Sequence, residues 1–472
     1  MKLGARETAR KSLDKARPAH IPSGANTADA RHHPRGLAIL SGTEAWERFS
    51  FYGMQALLML YMATVLLPAG ADRLVWGFGS FRMIVETVTG PLSDQALASQ
   101  IFGLYTGLVY LTPMIGGIIG DRLLGGRRTV LVGAGLMALG HFLLAFDASF
   151  LIALAALICG SGCLKGNIAT QVGRLYAPDD ARRDRAFLLF NFGINIGAFA
   201  GPLICGSIGE THSWHLGFAG AGFGMLIGIA IYVSGWRHLP ADRPRGRDVV
   251  REAGQAGDAR RIAALLGLVA LSLCYNVPFG QGYDVFPLWI HDAANRHVGG
   301  FEIPVAWYLA SDGLVTVLST PLVMLLWKRQ AAAGREPRVA SKFAIGCAMM
   351  AAADALLALF AYAWPEAHSI GAFWGFGYFL LSSSAYLFVM PVLLAAVSRA
   401  APARLTATLM GAAYAGLFVA NLTAGWLARF YMPLGPVRFW GLHALIATAG
   451  VLIAVALRGP LSSPLYPASE AA

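Results

Sequence analysis

The chain has 472 residues, of which 56% are hydrophobic and only 13% are charged, and its formal net charge is +11. Soluble globular proteins carry about a quarter charged residues, so this composition excludes a water-soluble body of this size and favours a helical protein with many membrane spans. The sequence has no nucleotide-binding motif, no catalytic-triad pattern and no metal-ligand spacing of Cys and His. We therefore expect neither an enzyme nor an ATP-driven pump, and we expect no cofactor.

Twelve apolar stretches follow one another along the chain, each long enough to cross a bilayer. A membrane helix needs about 20 mostly apolar residues. The predicted spans are 38–67, 97–120, 128–147, 150–176, 187–208, 215–236, 262–290, 305–327, 341–363, 370–398, 405–429 and 437–457. The pattern predicts an all-α polytopic membrane protein with 12 transmembrane helices.

Polar segments divide these spans into two groups of six. Residues 1–36 are polar and basic and predict a disordered cytoplasmic N-terminal tail. The polar stretch 237–261 predicts a cytoplasmic linker, and 459–472 a cytoplasmic C-terminal tail. The two six-helix bundles are then expected at 37–236 and 262–458.

Lys and Arg concentrate in alternate loops, at 122–128, 174–185, 237–261 and 328–342, while the other loops are nearly free of them. Positive loops remain in the cytoplasm, so we expect both termini there and the protein in the cell (inner) membrane. The excess positive charge is explained as a topology signal, and we expect no nucleic acid as a partner. The partly apolar segment 74–95 is predicted to be an external loop.

The first span contains three ionisable side chains, Glu44, Glu47 and Arg48. Their spacing of i, i+3 and i+4 projects them from one helix face. Ionisable residues inside a membrane are costly and mark functional sites. Two carboxylates and one guanidinium sum to −1, or to zero when one carboxylate is protonated. This cluster predicts proton coupling at Glu44 and Glu47; the alternative is a salt bridge that only fixes helix packing.

The second loop contains a Gly-rich and charged motif, GGIIGDRLLGGRR, at 116–128. Gly permits close helix contact, and Asp and Arg can latch neighbouring helix ends. The motif resembles that of the major facilitator superfamily between helices two and three, and six plus six spans with a cytoplasmic linker are that superfamily's plan. A gating role is implied for Gly117, Asp121, Arg122, Arg127 and Arg128.

Several motifs are similar to those of the proton-dependent oligopeptide transporter family within that superfamily. They are E-x-x-E-R-F at 44–49 with the following Tyr52-Gly53, G-S-G-C-L-K-G-N at 160–167, the stretch 185–197, and the prolines at 391 and 402. The resemblance covers most of residues 38–430. It implies that Arg48 pairs with the carboxylate of a peptide and that Lys165 alternates between the substrate and an acidic partner.

The same resemblance implies further contacts with a bound peptide. Asn195 would bond the peptide backbone or amine, and Tyr110 would hydrogen-bond the ligand. The other substrate-binding residues expected on these grounds are Tyr52, Gln281, Asp312 and Tyr386.

The second half departs from the family pattern at two acidic positions. Gly280 and Tyr386 stand where glutamates are expected, so both usual partners of Lys165 are absent. A lone buried ammonium needs compensation. Three unexpected acids could supply it, and we favour Asp312 over Asp284, a possible gate or solvated residue, and Asp354, which would be structural or at the lipid edge.

The leading hypothesis is a proton-coupled symporter that imports di- or tripeptides by alternating access, acting as a monomer in the lipid bilayer. One alternative keeps the fold but carries a non-peptide small zwitterion or anion, because the acid that recognises the amine has moved. Two further alternatives are a proton-coupled drug exporter and a transporter-like sensor that moves nothing.

Overall fold

A computed structural model describes residues 33–465, with the exception of 178–179, 181, 243–256 and 403–404. Twelve long helices make up this part of the chain. They are α1 (Arg35–Tyr61), α2 (Asp94–Leu111), α3 (Gly126–Leu143), α4 (Phe150–Arg174), α5 (Arg183–Gly201), α6 (Trp214–Ser234), α7 (Asp258–Gln281), α8 (Val305–Ala332), α9 (Val339–Ala363), α10 (Trp374–Ala400), α11 (Thr406–Leu427) and α12 (Tyr431–Ala456).

In the described residues, ten segments are long and apolar enough to cross a membrane. The last of these, Thr406–Ala456, contains both α11 and α12, and α3 is the one long helix outside the ten. Non-helical backbone at Gly435, with φ of 72°, separates the entry of α12 from its apolar body. The predicted all-α polytopic fold is confirmed.

Short helical segments extend or connect the long helices. They are Met62–Leu66, Ala71–Leu74, Phe78–Thr89, Pro113–Ile119, Gly120–Leu124, Asp147–Ser149, Pro202–Gly206, Ser207–Thr211, Trp236–His238, Val285–Ala293, Ala428–Phe430, Arg458–Ser462 and Ser463–Leu465. Phe78–Thr89 lies within the predicted external loop 74–95, so this loop is largely helical. An ion pair of 3.0 Å between Arg82 and Glu86, one turn apart, supports that helix.

Four two-residue strands lie between α7 and α8 and before α10. Strand β1 (Ala294–Asn295) pairs in parallel with β4 (Ile370–Gly371), and β2 (His297–Val298) pairs antiparallel with β3 (Phe301–Glu302). They cover one end of the second half of the chain.

Close helix contacts within the first half depend on glycine. A side chain at Gly201 would collide with Phe49 of α1, and one at Gly193 would lie 3.1 Å from the Ser41 carbonyl oxygen, so α5 packs directly on α1. Small residues allow this approach in membrane helices, where dispersion contacts replace a hydrophobic driving force. In the second half, α9 packs on α12 and α10, and α7 packs on α11.

Two helix pairs, α2 with α11 and α5 with α8, join the halves. We call the membrane side of Arg35, Ser234, Asp258 and Ala456 the terminal side, and the opposite one the far side. In the far-side half of α2, a Cβ at Gly103 would lie 2.5 Å from the Asn421 carbonyl oxygen of α11. The two halves therefore touch backbone to backbone towards the far side.

Only some of the predicted boundaries between bundles, linker and tails fall within the described residues. Helix α1 already begins at Arg35, and α7 begins at Asp258, before the predicted end of the linker. The rest of the predicted N-terminal tail, the core of the linker at 243–256 and the last residues of the C-terminal tail lie outside the described residues.

Candidate functional site

A cavity of about 620 Å³ lies between the two halves, within the size range of pockets that bind small molecules. It is bounded by α1, α2 and α5 of the first half and by α7, α8, α10 and α11 of the second. Its wall includes nine aromatic side chains, from Phe51, Tyr52, Phe102, Tyr110, Phe279, Tyr283, Trp327, Tyr386 and Tyr414. Asp312 is the one charged residue in this wall among the residues described.

The cavity opens towards the terminal side. Along α8, residues from Val305 to Gly313 are almost all buried, whereas Met324, which also lines the cavity, is 53% exposed. Together with the helix contacts on the far side, this gradient of exposure means that the structure is open at one membrane face and closed at the other.

The cluster predicted in the first span is formed as expected from its spacing. Arg48 is ion-paired with Glu47 and lies 3.2 Å (Nε to Oε1) from Glu44. All three side chains are buried, and Glu47 has no exposed surface. Because these ion pairs are buried away from water, any uncompensated charge in the cluster costs free energy.

Lys165 of α4 lies next to this cluster but forms no ion pair with it. Its Nζ stands 4.3 Å from the centre of the Phe51 ring and 5.5 Å from that of Tyr110. No carboxylate of the described residues lies within 4.0 Å of this ammonium. The aromatic faces supply part of its stabilisation through cation–π contacts. The predicted pairing of Lys165 with Asp312 is absent in this conformation and stays a prediction for another one.

Asp312 projects from α8 into the cavity. The hydroxyl of Tyr283, in the turn after α7, donates a hydrogen bond of 2.5 Å to its Oδ2 atom, and Ser383 of α10 lies beside it. Gly313, the next residue, packs on the backbone of Phe199, which fixes this turn of α8 against α5. The cavity therefore has a carboxylate on the second half, across from the half that contains Arg48 and Lys165.

The structure brings most of the predicted substrate residues together. Tyr52, Tyr110, Asn195, Asp312 and Tyr386 line the cavity. Arg48 and Lys165 do not line it directly; both contact Phe51, whose ring does. Gln281 is fully buried and donates instead to the Ala424 carbonyl oxygen of α11, at 2.9 Å.

The predicted gating motif forms contacts at the terminal side. Arg127 donates from Nε to the Pro240 carbonyl oxygen at 2.7 Å and from Nη2 to the Leu239 carbonyl oxygen. Asp121 lies 3.8 Å from Arg174 of α4. The motif thus links α2, α3, α4 and the segment after α6. The side chains of Arg122 and Arg128 are exposed, and Gly117 has open space around its Cα.

Some cavity residues are absent from the sequence-based prediction. Asn276, Phe279 and Gly280 of α7, and Tyr283 just after its end, all line the cavity. Their spacing of i, i+3, i+4 and i+7 is that of one helix face. The polar residues Asn276 and Tyr283 on this otherwise apolar face were the sequence signal that could have identified it as part of the cavity.

The other two unexpected acids are both buried. Asp284 lies in the break between α7 and the following helix, is 1% exposed and faces Ser99 of α2. It is therefore not the solvated residue that was one expectation. Asp354 has no exposed surface, so it does not lie at the lipid edge. Neither lines the cavity.

A carboxylate on the far side makes contacts between the two halves. Glu210, after α5, accepts hydrogen bonds from the backbone N–H groups of Val305 and Ala306 at 2.7 and 2.8 Å. These are the first residues of α8, so the carboxylate caps that helix and meets its positive end. Arg296 lies 3.8 Å from Glu210 and 2.6 Å from Glu302.

Three comparisons place these features among known proteins. A family model described as POT family matches residues 127–256 and 249–434. A peptide transporter of Yersinia enterocolitica, YePEPT, is 29% identical over 83% of this chain and 87% of its own. A di-/tripeptide transporter of Lactococcus lactis is 26% identical over 91% of this chain and 96% of its own.

Solved structures share the fold. The crystal structure of a peptide transporter POT in complex with sulfate superposes with a TM-score of 0.81, at 24% identity, over 96% of this chain and 99% of its own. A POT family transporter in complex with 5-aminolevulinic acid gives a TM-score of 0.80, at 22% identity, over 92% of this chain and 97% of its own.

Proposed function

The chain belongs to the POT family, and from that premise we propose that it is a proton-coupled symporter that imports di- and tripeptides by alternating access. The observation that carries this proposal is the arrangement of charge around one cavity. Arg48, flanked by two carboxylates, and Lys165 stand on the first half, and Asp312 stands on the second. A peptide with free termini has a carboxylate for the cations of the first half and an ammonium group for Asp312 of the second.

Electroneutrality links the proton to the peptide. Glu44, Glu47, Arg48 and Lys165 have formal charges that sum to zero when all are ionised. One added proton makes this group +1, and the carboxylate of a peptide returns it to zero. Because uncompensated charge in a buried site is costly, each ligand favours binding of the other, which is the requirement for symport.

The orientation of the protein in the membrane follows from the positive loops. The motif at 116–128 lies on the terminal side, so the positive-inside bias assigns that side to the cytoplasm of the cell (inner) membrane. The cavity is then open inwards. A monomer has all the elements of this cycle, since both halves of the cavity belong to one chain.

Uptake of a radiolabelled dipeptide into proteoliposomes tests the proposal. With an inward proton gradient the dipeptide should accumulate, and a protonophore that dissipates the gradient should remove the accumulation. Equal uptake with and without the gradient would contradict proton coupling, and no uptake of any dipeptide would contradict peptide transport.

A second candidate cargo is a small non-peptide zwitterion. It is favoured by the position of the acid, because the cavity has Asp312 on α8 while Tyr386 on α10 and Gly280 on α7 offer no carboxylate. A structural relative is described in complex with 5-aminolevulinic acid. Competition of dipeptides against a panel of amino acids in the same vesicles separates the two cargo classes.

Opening of the far side should depend on Glu210. In Glu210→Gln the amide oxygen still accepts one hydrogen bond, but the charge and the second bond to the start of α8 are lost. Hydrogen bonds to charged groups are worth about 1.5–3 kcal/mol, so the population open at the far side should rise about tenfold or more. The readout is the labelling rate of Gln55→Cys, a cavity position, by an impermeant maleimide added outside right-side-out vesicles.

The matched control is Glu302→Gln. Glu302 pairs with the same arginine at 2.6 Å, but both residues belong to the loop before α8 and the pair does not cross between halves. Labelling in this variant should equal that of the parent. Equal labelling rates in all three proteins would show that Glu210 does not hold the far side closed.

A further inference from the structure

Asp354, in the middle of α9, is an acid that the transport cavity does not use. Its side chain has no exposed surface, and neither carboxylate oxygen has a hydrogen-bond partner among the described residues. An ionised carboxylate in such surroundings is strongly disfavoured. The structure must therefore hold this group neutral or place a partner for it within reach.

The packing of α9 on α12 supplies that partner. The two helices run antiparallel, and Cys347 of α9 meets Gly450 of α12, where a Cβ would lie 2.9 Å from the Cys347 sulfur. Seven residues are two helical turns, or about 10.5 Å. Asp354 is two turns from Cys347 along α9, and His443 is two turns from Gly450 along α12, both towards the far side. The two residues therefore lie at the same level, on the helix surfaces that face each other.

His443 is arranged to accept a proton-bearing group. It has no exposed surface, and its Nδ1 lies 2.9 Å from the Phe439 carbonyl oxygen one turn earlier. That contact places the ring hydrogen on Nδ1, which leaves Nε2 with a lone pair. Nε2 has no hydrogen-bond partner among the described residues. A carboxylic acid is the group that complements it.

Helix α10 completes the surroundings of the pair. A Cβ at Gly346 of α9 would lie 3.1 Å from the Ala385 carbonyl oxygen of α10, and two turns further towards the far side Tyr378 of α10 reaches the level of Asp354. The Tyr378 hydroxyl and the Trp440 indole N–H are also buried without partners. Of the neighbouring titratable groups, Cys274 and Cys347 lie beside Gly450, two turns nearer the terminal side, and the Tyr275 hydroxyl donates to the Ser382 carbonyl oxygen.

We propose that Asp354 and His443 form a second proton-binding site, in which the protonated Asp354 carboxyl donates to His443 Nε2 through one bridging water molecule. The neutral form is favoured because separating charge between the two groups would require desolvating both ions. The site lies outside the transport cavity, so its proton remains bound throughout the cycle and joins α9 to α12.

Infrared spectroscopy of the purified full-length protein in lipid tests this site. At pH 7 an ordinary aspartate, with a pKa of about 3.9, is ionised. The parent spectrum should contain the C=O stretching band of one carboxylic acid that Asp354→Asn lacks, and the difference between the two spectra removes the other carboxyls. His443→Phe should shift this band to higher frequency, because the acid loses its acceptor.

The matched control is His141→Phe. His141 is equally buried in α3 of the first half and also lacks hydrogen-bond partners among the described residues. This variant should leave the band unchanged, and proton-driven uptake should persist in all three variants. A parent spectrum identical to that of Asp354→Asn would overturn the proposal, as would a band that His443→Phe leaves in place or that His141→Phe shifts equally. If Asp354→Asn does not fold, the histidine variants still decide the question.

Discussion

Glu47→Gln is expected to abolish proton-driven accumulation of peptide while leaving peptide exchange intact. The substitution keeps the shape of this fully buried side chain and removes one negative charge beside Arg48. Glu44, Arg48 and Lys165 then sum to +1 without a bound proton, so the carboxylate of a peptide can bind without one. The carrier should become a uniporter.

The measurement is the accumulation ratio at a fixed pH difference. One pH unit corresponds to about 1.4 kcal/mol, which supports about tenfold accumulation for each coupled proton. The ratio in Glu47→Gln should fall to about one, and counterflow of labelled peptide should continue. Glu44→Gln should behave similarly, because Glu44 lies 3.2 Å from the same arginine.

Glu86→Gln is the control for this experiment. Glu86 is a membrane-flanking carboxylate paired with Arg82, outside the cavity, and its loss should leave the accumulation ratio unchanged. If Glu47→Gln accumulates peptide as strongly as the parent, the α1 cluster does not couple the proton.

Asp312→Asn is expected to weaken binding of peptides with a free amino terminus by about 10- to 100-fold. Removing the charged partner of an ammonium group costs about 1.5–3 kcal/mol, and each 1.4 kcal/mol is a factor of ten in the dissociation constant. The asparagine keeps the volume of the side chain, so the cavity should keep its shape. Competition against a labelled peptide measures the effect.

An N-acetylated peptide of the same sequence provides the internal control. It has no ammonium group, so its affinity should be the same in parent and variant. Tyr283→Phe removes the 2.5 Å hydrogen bond to Asp312 but keeps the carboxylate, and should give a smaller loss. If acetylated and free peptides lose affinity equally in Asp312→Asn, the carboxylate does not recognise the amine.

The α1 cluster could be predicted from the sequence because its geometry is local. Glu44, Glu47 and Arg48 lie within one helical turn, and a helix brings such spacings together whatever surrounds it. The same holds for the stretch 160–167, which places Lys165 and Asn167 on α4. Asn167 donates to the Gly116 carbonyl oxygen at 2.9 Å, so part of that motif serves helix packing.

The second half of the cavity could not be predicted in the same way, because its geometry depends on how helices rotate against each other. Gln281 is one position beyond the stripe of Asn276 and Gly280 that faces the cavity, and it points to α11 instead. The bond between Tyr283 and Asp312 joins the turn after α7 to α8 across 29 positions of sequence. Sequence periodicity shows which residues share a face of one helix, but it does not show which faces of neighbouring helices pack together.

Asp312, the one carboxylate among the described residues of the cavity wall, also has an electrical consequence. With Asp312 ionised, the empty carrier has one negative charge that the loaded carrier lacks, since an ammonium group neutralises it. Moving one elementary charge across the whole membrane potential is worth about 2.3 kcal/mol per 100 mV. A potential that is negative inside therefore drives the return of the empty carrier, and the voltage dependence of transport should be concentrated in that step.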